Sequence, residues 1–311
     1  MMKYGITKLV ADFSGFIEVK ESEFLQIREA RKDLFELLFL EEKIDLVTEN
    51  YYEYENELLS IASRMAIFRD DDYFSASQQR NIISRRIINL LTACRMYLDQ
   101  SMHHIKNIYG ENSEVLLKIE EEKSRQYDNV LGFRVMEALR NYVQHRGSPI
   151  QSIRLSYKKI RSEEQFKLSH TVIPLVKISA LEDDKKFKKT ILKELRSIQN
   201  TDELDVRSLI REYVEAIGKI HEKIREVVRT DMEKWESVFN SATERFQNEF
   251  GSSVSLSGLV IVAENEDGAW KEKYIIFKDF IERRKSLERK NWSFNNLHKT
   301  FASNEIIEDT R

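Results

Sequence analysis

The chain has 311 residues, 50 Lys+Arg against 53 Asp+Glu for a formal net charge of −3, and 41% hydrophobic residues. Its 9 Gly and 2 Pro fall below a third of average usage, which predicts long helices and excludes turn-rich sandwiches and propellers. The charge balance excludes a surface that grips nucleic acid everywhere, leaving room for a local basic groove. Cys94 is the single cysteine, which excludes a disulfide framework or a cysteine-rich metal site and fits a reducing compartment. No stretch approaches the roughly 18 apolar residues that span a bilayer, and no signal core precedes Asp12, so a soluble, cytoplasmic protein is expected.

Residues 3–19 alternate loosely through Ile6, Val10, Phe13 and Ile17 and predict a strand or hairpin on the first helix. That helix spans Glu21 to about Leu40. A second follows, with Ile44, Val47, Tyr51, Tyr54, Leu58, Ile61 and Met65 spaced by 3 and 4 in a narrow seam. Asp70-Asp71-Asp72 breaks the pattern, and Ser75 or Ser77 is positioned to cap a third helix through Ile83, Ile87, Leu90, Cys94 and Tyr97. Gly110, with Asn112 or Ser113 as the next cap, separates a fourth helix running from Val115 to Tyr142. It stops at His145-Arg146-Gly147-Ser148-Pro149, where cations meet the carbonyl end, Gly suits the left-handed position and Pro forbids continuation. Four such helices predict an antiparallel bundle over residues 1–150.

Beyond Pro149 the period drops to 2. Ile153, Leu155 and Tyr157 alternate with Arg154, Ser156 and Lys158, and with the segment Leu168–Ile178 they predict a hairpin. A helix through Lys185–Ile198 precedes the longest seam, Val206, Ile210, Tyr213, Ile217, Ile220, Ile224 and Val227, extending toward Phe246. A second hairpin turns at Asp267-Gly268. The expected fold is mainly α: the bundle of residues 1–150, then an α+β module of residues 151–311 with one very long helix and two β-hairpins.

The helix before the boundary ends Arg140-Asn141-Tyr142-Val143-Gln144-His145. Asn141 and His145, four apart, share a helix face; Arg140 lies about 140° from His145, but its long side chain can swing to the same groove. An imidazole that moves a proton near neutral pH, beside a guanidinium that holds a phosphate, suits cleavage of RNA without a metal. No nucleophile stands beside them for ester or peptide hydrolysis.

The arrangement resembles the HEPN superfamily, whose motif is Arg, four to six residues, then His, commonly with Asn directly after the Arg, near the end of a helix in a bundle. A bare Arg-to-His spacing arises about once by chance in a chain of this composition; the adjacent Asn makes the match about twenty-fold rarer. The resemblance covers residues 20 to 150. It implies a metal-independent endoribonuclease needing no cofactor, acting through the 2′-hydroxyl to leave a cyclic phosphate, with a composite active site in a homodimer or higher oligomer. It further implies the setting of a toxin or phage-defence effector, with an antitoxin or other protein partner. By carry-over His145 is the acid/base, Arg140 the phosphate ligand and Asn141 the orienting polar partner.

Three basic clusters could add phosphate contacts. They are Arg154, Lys158, Lys159 and Arg161; Lys185, Lys186, Lys188 and Lys189; and Arg283, Arg284, Lys285, Arg289 and Lys290. Lys158, Lys159 and Arg161, together with Arg146, are the expected RNA contacts. His103-His104 reads as a surface pair, with His170, His221 and His298 structural; Tyr51 and Tyr54 read as core, leaving Tyr52 free. The alternative of a different class is a non-catalytic scaffold or regulatory protein that oligomerises through the seams of residues 44–65 and 206–227.

Overall fold

The protein is described from a computed structural model that covers residues 2–10, 13–68, 73–161, 166–276, 278–292 and 294–303, with the backbone alone at 73, 160, 161 and 166. Among these are eight α-helices and seven short or medium strands, so the molecule is mainly helical with small antiparallel sheets. The triplet Asp70-Asp71-Asp72 lies outside the described residues.

After strands β1 (Lys3–Lys8) and β2 (Ile17–Glu18) comes a single helix, α1 (Glu21–Phe68), where two were expected. The seam changes phase near Leu40, but no Gly or Pro interrupts Glu41-Glu42-Lys43. Glu41 is itself buried, and Arg225 grips both of its carboxylate oxygens at 2.8 and 2.6 Å. The helix therefore continues through a charged stretch whose one inward carboxylate is satisfied.

Helix α2 (Tyr73–Tyr109) starts before the expected caps: Ser75 and Ser77 lie inside it, and Ser75 accepts a hydrogen bond from Gln79. Gly110 ends it in the left-handed region at φ 82°. Ser113 then caps α3 (Glu114–Asn129), its hydroxyl accepting from the Leu116 N–H at 3.2 Å.

The expected fourth helix is two. Val130 is extended (φ −110°, ψ 110°), and α4 (Leu131–His145) begins after it. Gly132, two residues on, is the local sequence signal for a break. Arg134 donates to the last carbonyls of α3, Tyr127 O at 2.9 Å and Asp128 O at 2.6 Å, while the Gly132 N–H donates to the Glu212 carboxylate at 3.0 Å. A Cβ on Gly132 would stand 2.4 Å from the Leu209 carbonyl oxygen, so a close approach by a later helix fixes the break.

Strands β3 (Ser152–Arg161) and β4 (Phe166–Lys177) form the expected hairpin, with Leu155 opposite Val172 and Tyr157 opposite His170. Helices α5 (Ile178–Glu182) and α6 (Lys189–Ile198) precede β5 (Glu203–Asp205), which pairs with β4 in the order β3-β4-β5. Helix α7 (Arg207–Phe250) carries the longest seam. Then β6 (Leu259–Glu264) and β7 (Trp270–Ile275) turn at Gly268, φ 74°, before α8 (Asp279–Lys290).

The described chain forms two compact units. One holds residues 1–43, 100–119 and 223–292, the other residues 44–99, 120–222 and 293–311. The change of period at Pro149 thus falls inside the second unit. The first centres on the sheet β2-β1-β6-β7, where β1 pairs antiparallel with β6 from Lys3↔Glu264 to Lys8↔Leu259. Ile6, Phe24, Leu34, Phe239, Phe246, Ile261 and Phe280 fill its core.

In the second unit the seam residues Val47, Tyr54, Leu58 and Ile61 of α1 and Ile210, Tyr213, Ile217 and Ile220 of α7 are buried. Tyr51, Met65 and Val227 of the same seams are half-buried. Among the described residues no helix is long and apolar enough to cross a membrane.

Candidate functional site

Helix α4 is amphipathic in the ordinary way. Phe133, Val135, Met136, Leu139 and Tyr142 are buried, and Phe133 packs edge-on against Tyr213 with ring centroids 5.3 Å apart. The opposite face carries Asn141, Gln144 and His145 into solvent. Four residues apart, Asn141 and His145 sit one above the other on that face.

Arg140 is half-buried, its Nε shielded from water without a hydrogen-bond partner, and its Nη1 donates to Asn141 Oδ1 at 3.1 Å. The guanidinium is thereby turned toward the Asn141 side of the helix. Its outer nitrogens remain able to meet an anion. His145 is the last residue of α4, is exposed, and makes no hydrogen bond or ion pair to any described residue.

The helix end is held firmly. The Arg146 N–H closes on Tyr142 O at 2.8 Å, and Pro149 and Ile150 are buried. Ser148 and Ser84 hydroxyls meet at 3.2 Å, and Arg80 donates to Gln151 O at 3.3 Å. Gly147 does not adopt the left-handed conformation expected of it. Its need is spatial: a Cβ there would lie 2.9 Å from the Tyr142 hydroxyl.

An open cleft adjoins this end, lined by Tyr142, Arg146, Ala180, Asp183, Asp184 and Lys185. Arg146 Nε pairs with Asp184 at 3.2 Å, so one expected RNA contact is engaged by a buried carboxylate. Burial first, and then the charges of Asp184 and Asp183, raise the Tyr142 hydroxyl above the usual phenol range. The acidic run Glu182-Asp183-Asp184 had no signal in sequence beyond that of a solvated face. Only the turn after α5 brings it to α4.

Lys158 and Lys159 are exposed on β3, opposite Ser169 and Leu168. Strand geometry carries Lys158 about 20 Å along β3 from Ser152. The backbone of Arg161 ends β3 opposite Phe166; its side chain lies outside the described residues. Arg154 pairs with Glu203. In the C-terminal cluster Arg284 is no surface cation: it is buried, donating to Glu236 at 2.7 Å and Glu288 at 2.8 Å.

His104 is likewise no plain surface residue, since Nδ1 meets Glu36 at 2.6 Å with both side chains largely buried. His221 is buried against the Tyr97 hydroxyl at 2.9 Å, and His298 pairs with Glu215 at 2.8 Å. Among the described residues no group of three or more His, Cys, Asp or Glu side chains converges as a metal site. Comparison with family models, with curated proteins and with solved structures finds no match.

Proposed function

We propose that the chain is a metal-independent endoribonuclease of HEPN type, with an active site assembled when two protomers bring their α4 ends together. The supporting observation is a solvent-facing histidine, His145, at a rigid helix end, beside an Arg140 guanidinium turned toward Asn141. One imidazole takes the proton of the 2′-hydroxyl as that oxygen attacks phosphorus. The bond from phosphorus to the 5′-oxygen breaks, and a protonated imidazole from the second protomer gives its proton to the leaving oxygen. A cyclic phosphate and a 5′-hydroxyl remain. Arg140 holds the phosphate and its developing charge, and Asn141 fixes the guanidinium.

A reaction of this kind fits an effector that acts on cellular or invading RNA, and toxicity on overexpression is then expected. His145→Ala should lower cleavage of RNA about 10²- to 10⁴-fold, and Arg140→Ala by about 10²-fold or more, with cleavage unchanged in EDTA. Product ends read by phosphatase and kinase sensitivity check the chemistry. If both variants fold and cleave as the parent does, the assignment is wrong.

A further inference from the structure

Among the described side chains of the far half of the β3–β4 hairpin, residues 156–159 and 167–171, none is buried. On one face of the pair the register runs Ile153↔Pro174, Leu155↔Val172, Tyr157↔His170 and Lys159↔Leu168. Pro174 and Val172 are buried; one step further out Tyr157 is 72% exposed and Leu168 57% exposed. Cross-strand neighbours on a face lie about 5 Å apart, so Tyr157, His170, Lys159 and Leu168 form one contiguous patch.

The hairpin around it carries charge of one sign, with Lys159 on the Tyr157 face and Arg154, Lys158, Lys167 and Lys177 on the reverse face. Residues 152–161 and 166–177 hold six Lys or Arg and no Asp or Glu, where the chain's average would place about four acidic residues. The connecting turn, by sequence, adds Glu163 and Glu164. Because β3 is the edge strand of its sheet, Lys158 on the reverse face stands at a free edge, and its stem can reach round it.

We propose that this face is a stacking platform for a single-stranded segment of RNA, with Tyr157 under a base and Lys159 and Lys158 on the neighbouring phosphates. An exposed aromatic ring amid cations is what a base with a free π-face and its backbone recognise together, and a duplex hides such faces in its own stack. A protein partner fits less well, because lysines are depleted at the cores of protein interfaces. The proposal rests on reading the protein as one that acts on RNA. It adds phosphate contacts to the one that Arg140 makes in that reading.

The test is fluorescence anisotropy of a labelled 12-nucleotide oligouridylate, with every variant built on His145→Ala so that nothing is cut. Tyr157→Ala and Tyr157→Leu should weaken binding by about 5-fold or more, and Tyr157→Phe by less than about 2-fold. Lys158→Gln with Lys159→Gln should reduce the slope of log K against log salt by about 1.4. Unchanged circular dichroism and melting show that each variant is folded, as expected for exposed positions. Binding by Tyr157→Ala at the parent's affinity, equal competition by duplex RNA, or displacement by polyglutamate would each overturn the platform. Cleavage is scored separately in variants that keep His145. A chain that binds through Tyr157 and cuts nothing removes the ribonuclease and keeps the platform; one that cuts with Tyr157 irrelevant does the reverse.

Discussion

Asp33 shows how far a single side chain can depart from what its neighbours in sequence suggest. Burial pushes its carboxyl up to about 6, with Glu29 and Glu36 adding to the rise and Lys32 opposing it. Between about pH 4 and pH 6 the folded protein therefore keeps a proton that the unfolded chain has released, so stability falls as pH rises through that window. Asp33→Asn should be more stable than the parent by about 1 kcal/mol at pH 7, after discounting for the half-exposed side chain, and equal to it at pH 4. Urea midpoints at the two pH values check this. Tyr54 and Tyr52 lie where the seam puts them, one fully buried and one exposed. His104 and Arg284 do not, because their partners Glu36 and Glu236 are 68 and 48 residues away and no local pattern records such pairs.

At the scale of elements, the helices of this protein continue or stop for reasons that are partly remote. Gly110 and the Asp267-Gly268 turn are local, each with a glycine in the left-handed region, and both are legible in the chain. The unbroken α1 depends on Glu41 finding Arg225 of α7. Glu41→Ala leaves that guanidinium buried without its carboxylate and should destabilise the protein by about 3–5 kcal/mol, measured by denaturant unfolding. Glu41→Ala combined with Arg225→Met should recover much of the loss. The break at Val130 has the same character: Gly132 admits the Leu209 carbonyl and Glu212 caps the new helix. The motif-bearing helix thus starts where α7 directs and ends where its own sequence does.

For the molecule as a whole, several folding partners lie far apart in the sequence. Strand β1 from the first residues is completed by β6 from residues 259–264, and the core around α4 needs Tyr213, whose hydroxyl also donates to Glu137 at 2.5 Å. A fragment ending at residue 150 would carry the whole Arg140 to His145 motif but lack α7. It should fail to fold, which amide dispersion in a heteronuclear spectrum and protease resistance would show; a folded, soluble fragment would contradict the arrangement. The sequence by itself determined the helical class, the two hairpins, the long seams and the firm stop beside His145. These follow from local periodicity and from Gly and Pro placement, which act over a few residues. The tertiary structure decided that α1 is continuous and α3 and α4 are separate. It also decided that Arg146 answers to Asp184 and that Tyr157 stands clear of the core. Each of those depends on side chains distant in the chain, and burial and ion pairing carry no short-range signature.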